Sequence, residues 1–185
     1  MKRRSLLFAA LLPFLPFSAL AHTPYRQWDI FRKRYLQILT SHADYDGDKV
    51  GDEWVAVISE KSPLSRAMVS RAHDMPRIAS LLKTNQSKFA VLSYLHARLM
   101  FTGAPPFEDY SPLELEVLID NGKYLLVCRS DVPLHHAYFV TAALMEEAKK
   151  LHLVTPTQGK FGMPVHAGAK AFFNGDKLEP PKAES

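Results

Sequence analysis

The chain has 185 residues, a single cysteine and a formal net charge of +4, a length that suits one domain with one sizeable core. Three of the basic residues are Lys2, Arg3 and Arg4; without them 20 Lys and Arg face 19 Asp and Glu. The basic balance is therefore no nucleic-acid footprint, nucleic acid is not expected as a partner, and one cysteine excludes an intramolecular disulfide framework.

Residues 1–21 read as a secretory signal peptide. Lys2-Arg3-Arg4 is the positive start, Leu6 to Phe17 is an apolar run broken by Pro13 and Pro16, and Ala19-Leu20-Ala21 is an A-x-A cleavage site. The run is too short and too interrupted to span a bilayer, and no cysteine follows it to carry a lipid. The mature chain is expected to start near His22, in the periplasm, and not to be embedded in the membrane. Residues 22–178 are expected to form one domain, and the tail 179–185 to be disordered.

Tyr25 to Arg34 is rich in aromatic and basic residues and leads into a first strand, Tyr35 to Thr40. After a polar loop, Ser41 to Asp48, a helix is predicted over Lys49 to Lys61, with Asp46 or Asp48 as N-cap and Ser62-Pro63 as its stop. Arg66 to Ser70 is a second strand, and Asp74-Met75-Pro76 opens a second helix with a capping carboxylate and a first-turn proline. Ile78, Leu81 and Leu82 share a face of that helix before Thr84-Asn85 breaks it. Phe89 to Leu92 is a compact apolar run of the kind buried on both faces of a parallel sheet, and Ser93-Tyr94 hands over to a third helix that Gly103 ends. This β-α-β-α-β-α order predicts an α/β domain with three layers around a mostly parallel sheet.

Leu113, Leu115, Val117 and Ile119 then alternate with polar residues, Asp120-Asn121-Gly122 is a hairpin turn, and Tyr124 to Arg129 is the return strand. Ser130 or Asp131 is placed to cap a long helix from Pro133 to His152. A last loop reaches Met163 to Ala169 and a short helix that ends at Asn174-Gly175.

Three stretches carry a family likeness. Ile78 to Ala97 offers helix, polar turn, strand and loop. Gly103 to Pro133 contains G-x-x-P-F, ending at Phe107, and V-x-R-x-D-x-P over Val127 to Pro133. Tyr138 to Phe173 contains Pro164-Val165-His166-Ala167-Gly168-Ala169, close to a P-x-H-P-G-A pattern with Ala167 in the place of its proline. Together, in this order, they resemble the TAXI family, the periplasmic solute receptors of one branch of the tripartite TRAP transporters. The resemblance implies a fold like one lobe of a type II periplasmic binding protein. In the family the R-x-D-x-P strand leads into a second lobe, whereas here Arg129 to Pro133 runs directly into Leu134 to Tyr138. A short form without the second lobe is expected.

Ligands of open α/β sheets bind at the loops leaving the carboxyl ends of the strands. Thr40, Ser41, Arg71, Ser93 and Tyr94 are the candidate ligand-binding residues on that ground, with the planar fork of Arg71 suited to a small carboxylate. The leading expectation is a non-enzymatic module that binds or relays a small organic anion for a membrane transporter. The alternative is a protein–protein interaction module that self-associates or docks on transporter subunits or a secreted enzyme. A third reading is metal handling by His42, His73 and His96, each of which follows one of the first three strands. Asp44-x-Asp46-x-Asp48 imitates the start of a calcium loop, but Lys49 and Val55 stand where glycine and a bidentate glutamate are required. No cofactor is expected. There is no G-x-S-x-G elbow, and Cys128 lies inside a strand, where a buried apolar role suits it. His166 is expected to fix the terminal turn by hydrogen bonding.

Overall fold

A computed structural model describes residues 35–157 and 162–178. The expected signal peptide at 1–21, the mature start at His22, the segment Tyr25 to Arg34 and the tail 179–185 lie outside the described residues.

Strands β1 (Gln37–Ser41), β2 (Met68–Ala72) and β3 (Phe89–Ser93) alternate with helices α1 (Tyr45–Lys61), α2 (Met75–Lys83) and α3 (Tyr94–Thr102). The hairpin β4 (Leu115–Asp120) and β5 (Tyr124–Arg129) follows, then helices α4 (Leu134–Met145) and α5 (Ala167–Phe173). The five strands form one sheet in the order β2-β1-β3-β5-β4. β1 pairs in parallel with both β2 and β3, while β5 runs antiparallel between β3 and β4. Four strands thus point one way and β5 the other, a mixed sheet within the expected α/β layering.

Side chains alternate across the pleat, so β1, β3, β4 and β5 each feed two cores, while the edge strand β2 buries only Ala72. Ile38, Phe89, Val91, Leu126 and Cys128 face Trp54, Val57 and Ile58 of α1, Ala137 and Leu144 of α4 and Ala169 of α5. Leu39, Ala90, Leu92, Leu125 and Val127 face Ile78 and Leu82 of α2 and Ala97 and Met100 of α3. Each large side chain so buried contributes roughly 1.5–3 kcal/mol, and α2 ends, as its sequence predicts, at Thr84.

Four local expectations are corrected. Helix α1 starts at Tyr45, and its N-cap is Asp44, whose Oδ1 accepts from Gly47 N at 3.0 Å. Asp46 and Asp48 fall in the first turn, where the helix dipole favours them. The start is tight because Gly47 is buried: a Cβ there would stand 2.9 Å from both Asp44 Oδ2 and Tyr124 Cε1. Helix α4 has Pro133 at its N-cap position and no side-chain cap. Ser130 donates to Glu114 at 2.9 Å, and Asp131 accepts from Arg129 at 3.0 Å and Lys88 at 3.3 Å, so neither is available. That helix also stops at Met145; the following residues turn back through His152, at φ 53°, burying Leu151 and Leu153 and pairing Val154 with Asp120. In β4, a register shift between Val117 and Ile119 breaks the predicted alternation and buries Leu118 as well.

The outer edge of β4 is covered. Val117 N donates to Pro164 O at 2.8 Å, and His166 N donates to Val117 O at 3.0 Å. His166 is 3% exposed; its Nδ1 accepts from Gly168 N at 3.0 Å, so Nε2 carries the proton and donates to Val132 O at 3.0 Å. The turn-fixing role expected for this histidine is what the structure shows. Among the described residues no helix is long and apolar enough to cross a membrane.

Candidate functional site

The parallel register pairs Thr40 with Arg71 and Ser41 with Ala72, and the antiparallel one pairs Ser93 with Tyr124. All five predicted ligand residues therefore lie at the same end of the sheet, where β1, β2 and β3 finish, β4 finishes and β5 begins. They divide into two groups with different partners.

The first group is built around Asp48. Thr40 is 1% exposed, and its Oγ1 donates to Asp48 Oδ1 at 2.6 Å. Arg71 Nε donates to Asp48 Oδ2 at 2.8 Å. Arg71 Nη2 reaches both oxygens of Asp52, at 2.6 and 2.7 Å. Asp48 and Asp52 stand one turn apart on α1, the spacing that puts two side chains on one helix face. Burial works against the charge on Asp48, but hydrogen bonds from Thr40 and Arg71 and the Arg71 charge outweigh it and hold the carboxyl below its usual range. The same two carboxylates push Arg71 upward, so the guanidinium stays charged. Ser41, 1% exposed, accepts from Ala43 N at 3.1 Å and serves its own loop.

The second group ties the hairpin tip to the helix starts. Ser93 is the N-cap of α3, with Oγ 3.4 Å from His96 N and 3.0 Å from His96 Nδ1. Tyr94 OH donates to Asp120, a carboxylate 1% exposed that also accepts from Gly122 N at 2.7 Å. Burial, then the hydrogen bond to Asp120 and the charge on that carboxylate, pushes the Tyr94 phenol far above its usual range. Tyr124 OH donates to Asp44 at 2.7 Å and Lys123 pairs with Asp46 at 2.7 Å. Asp44, Asp46 and Asp48 thus serve separate sets of partners and converge on no common point, which is why their alternation makes no calcium loop.

The groups that sequence reasoning missed are Asp44, Asp48, Asp52, Asp120 and Tyr124. The i, i+4 spacing of Asp48 and Asp52 at the start of a helix leaving β1 was the signal for the pair facing Arg71.

His42, His73 and His96 do not gather into a metal-holding group among the described residues. His42 N donates to Ala72 O at 3.0 Å, which sets the exits of β1 and β2 side by side, but His96 is engaged by Ser93 and lies edge-on to Phe107 at 6.4 Å. Among the described residues no three His, Cys, Asp or Glu side chains converge to hold a metal ion. Cys128 is fully buried, and burial pushes its thiol well up.

The end of β5 lies at the other edge of the sheet, since Cys128 pairs with Phe89 at the start of β3. A second lobe joined through Arg129 to Pro133 would leave from the edge opposite Arg71 and Tyr94. The hairpin tip, residues 121–123, is the connection that lies beside them. No protein-family model matches this chain, and a search of curated proteins returned no relative.

Proposed function

We propose that this chain is a one-lobed binding module of the solute-receptor type, exported to the periplasm, which holds a small organic anion at Arg71 for a membrane transporter and performs no catalysis. The carrying observation is the relay Thr40–Asp48–Arg71. A buried hydroxyl fixes a carboxylate, and that carboxylate fixes Nε of a guanidinium whose side chain is 35% exposed. An arginine oriented before its ligand arrives loses less side-chain freedom on binding. The sequence resemblance to TAXI receptors supports the same reading.

The test is calorimetric titration of protein beginning at His22 with a panel of small mono- and dicarboxylates. Charge-assisted contacts of this kind contribute about 1.5–3 kcal/mol, so Arg71→Gln should weaken binding by roughly tenfold or more while far-UV circular dichroism stays unchanged. Equal binding by the variant, or no binding by the parent, overturns the proposal.

A second reading rests on a different observation. Tyr45 and Leu95 are 69% and 62% exposed in the first turns of α1 and α3, at the same end of the sheet. Large apolar side chains exposed at one edge suit a protein partner, whether a second copy, transporter subunits or a secreted enzyme. Light scattering coupled to size exclusion tests self-association: a dimer that Tyr45→Ser with Leu95→Ser converts to monomer supports it, and a monomer throughout removes the second copy from consideration.

A further inference from the structure

The two carboxylates on Arg71 are not equivalent. Asp48 is 18% exposed at its side chain, is tied to the buried Thr40 and meets Nε. Asp52 is 54% exposed and brings both of its oxygens to the single nitrogen Nη2. The strongest arginine–carboxylate geometry sets two oxygens against two nitrogens in parallel. Asp52 is tethered to α1 one turn beyond Asp48 and meets only one of them. Its carboxylate occupies donor surface on Arg71 without using the fork fully.

From this asymmetry, and resting on the anion-binding reading above, we infer that Asp52 is a built-in competitor: it covers Arg71 in the empty module, and a free ligand carboxylate displaces it by taking the paired-donor geometry that Asp52 does not reach. Asp48 remains in place through the exchange and keeps the guanidinium aimed. Because Asp52 is more than half exposed, water receives it when it swings away. The exchange breaks an exposed ion pair, which shifts an equilibrium by about fivefold at most. The competitor therefore sets a threshold of affinity without closing the site. It also selects by charge geometry: a planar carboxylate that spans two nitrogens displaces Asp52, and a group offering one oxygen gains no advantage over it.

The experiment follows succinate binding by calorimetry, and the Arg71 Nε–Hε resonance by nitrogen-15 NMR, in the parent, Asp52→Asn, Arg71→Gln and the double variant. Asp52→Asn should tighten succinate binding by about three- to fivefold, with the Nε–Hε resonance still shifted by Asp48 before ligand is added. Arg71→Gln should weaken binding by roughly tenfold or more in both backgrounds. Binding weakened in this way by Arg71→Gln but unchanged or weakened by Asp52→Asn overturns the competitor role and leaves the anion site standing. Binding that is unchanged by Arg71→Gln, or that the parent does not show, overturns the anion site and the competitor together.

Discussion

Asp48 joins a strand, a helix and an edge strand through one carboxylate, so its ionisation is linked to stability. Its carboxyl is held below the usual range in the folded chain, and a depressed carboxyl contributes stability that is complete above its unfolded value and is lost as pH falls through the folded one. Relative to the parent, Asp48→Asn should therefore be less stable at neutral pH, and the gap should narrow as pH drops below about 4. Urea unfolding at a series of pH values measures it; a gap independent of pH would mean that the carboxylate charge contributes nothing. At Cys128 the expectation is kinetic. A fully buried thiol with its ionisation pushed up should react with a disulfide reagent only when the chain opens, and addition of urea should accelerate labelling steeply. Rapid labelling of the native protein would contradict the burial. At this scale the sequence marked Arg71 and Ser93 correctly as strand-end residues, because apolar runs locate strand ends. It did not mark their partners. Arg71 meets Asp48 and Asp52 across 23 and 19 residues, a pairing that exists only once β1 and β2 are in register.

The start of helix α1 and the tip of the β4–β5 hairpin are tied by side-chain hydrogen bonds. Asp44 caps the helix through Gly47 and accepts from Tyr124 OH, while Lys123 reaches Asp46. Asp44→Ala removes a cap, at a cost of about 1–2 kcal/mol, and strands a phenol; Tyr124→Phe alone should cost about 1 kcal/mol. A double-mutant cycle in urea should then show a coupling of at least roughly 0.5 kcal/mol, and strict additivity would mean that the bond contributes nothing. Helices α4 and α5 meet through Gly168, where a Cβ would stand 2.2 Å from Leu134 O and 2.7 Å from Tyr138 N. Backbone cannot yield as a side-chain tip does, so Gly168→Ala should lower stability by about 1–3 kcal/mol and reduce Tm. The order of elements was legible because strands of about five residues alternate with helices whose apolar faces recur at helical spacing. Their irregularities were not. The end of α4 at Met145 is set by the need to bring Leu151 and Leu153 to the core, and the extra buried residue at Leu118 by pairing with β5. Both are tertiary demands that local pattern does not carry.

The whole domain is one sheet clad on both sides, and neither cladding has a core of its own. Phe89 and Val91 of β3 belong to the layer of α1, α4 and α5, while Ala90 and Leu92 belong to that of α2 and α3. Removing either layer would expose alternate residues of β1, β3, β4 and β5, and a strand left with one solvated apolar face cannot hold its register. The two cores should therefore unfold together. Trp54, 1% exposed, reports the first layer, and far-UV circular dichroism reports helices of both. With Trp28→Phe to leave Trp54 as the single tryptophan, excited selectively, the two urea transitions should coincide. At the strand-end edge Asp44, Asp48, Asp120, Tyr94 and Tyr124 are bonded to one another or to Arg71, Thr40 and backbone. That edge is part of the folded unit, and it should melt with the cores. Fluorescence that changes before the dichroism would show the α1 layer peeling away, and would make the edge around Arg71 a separate, weaker unit.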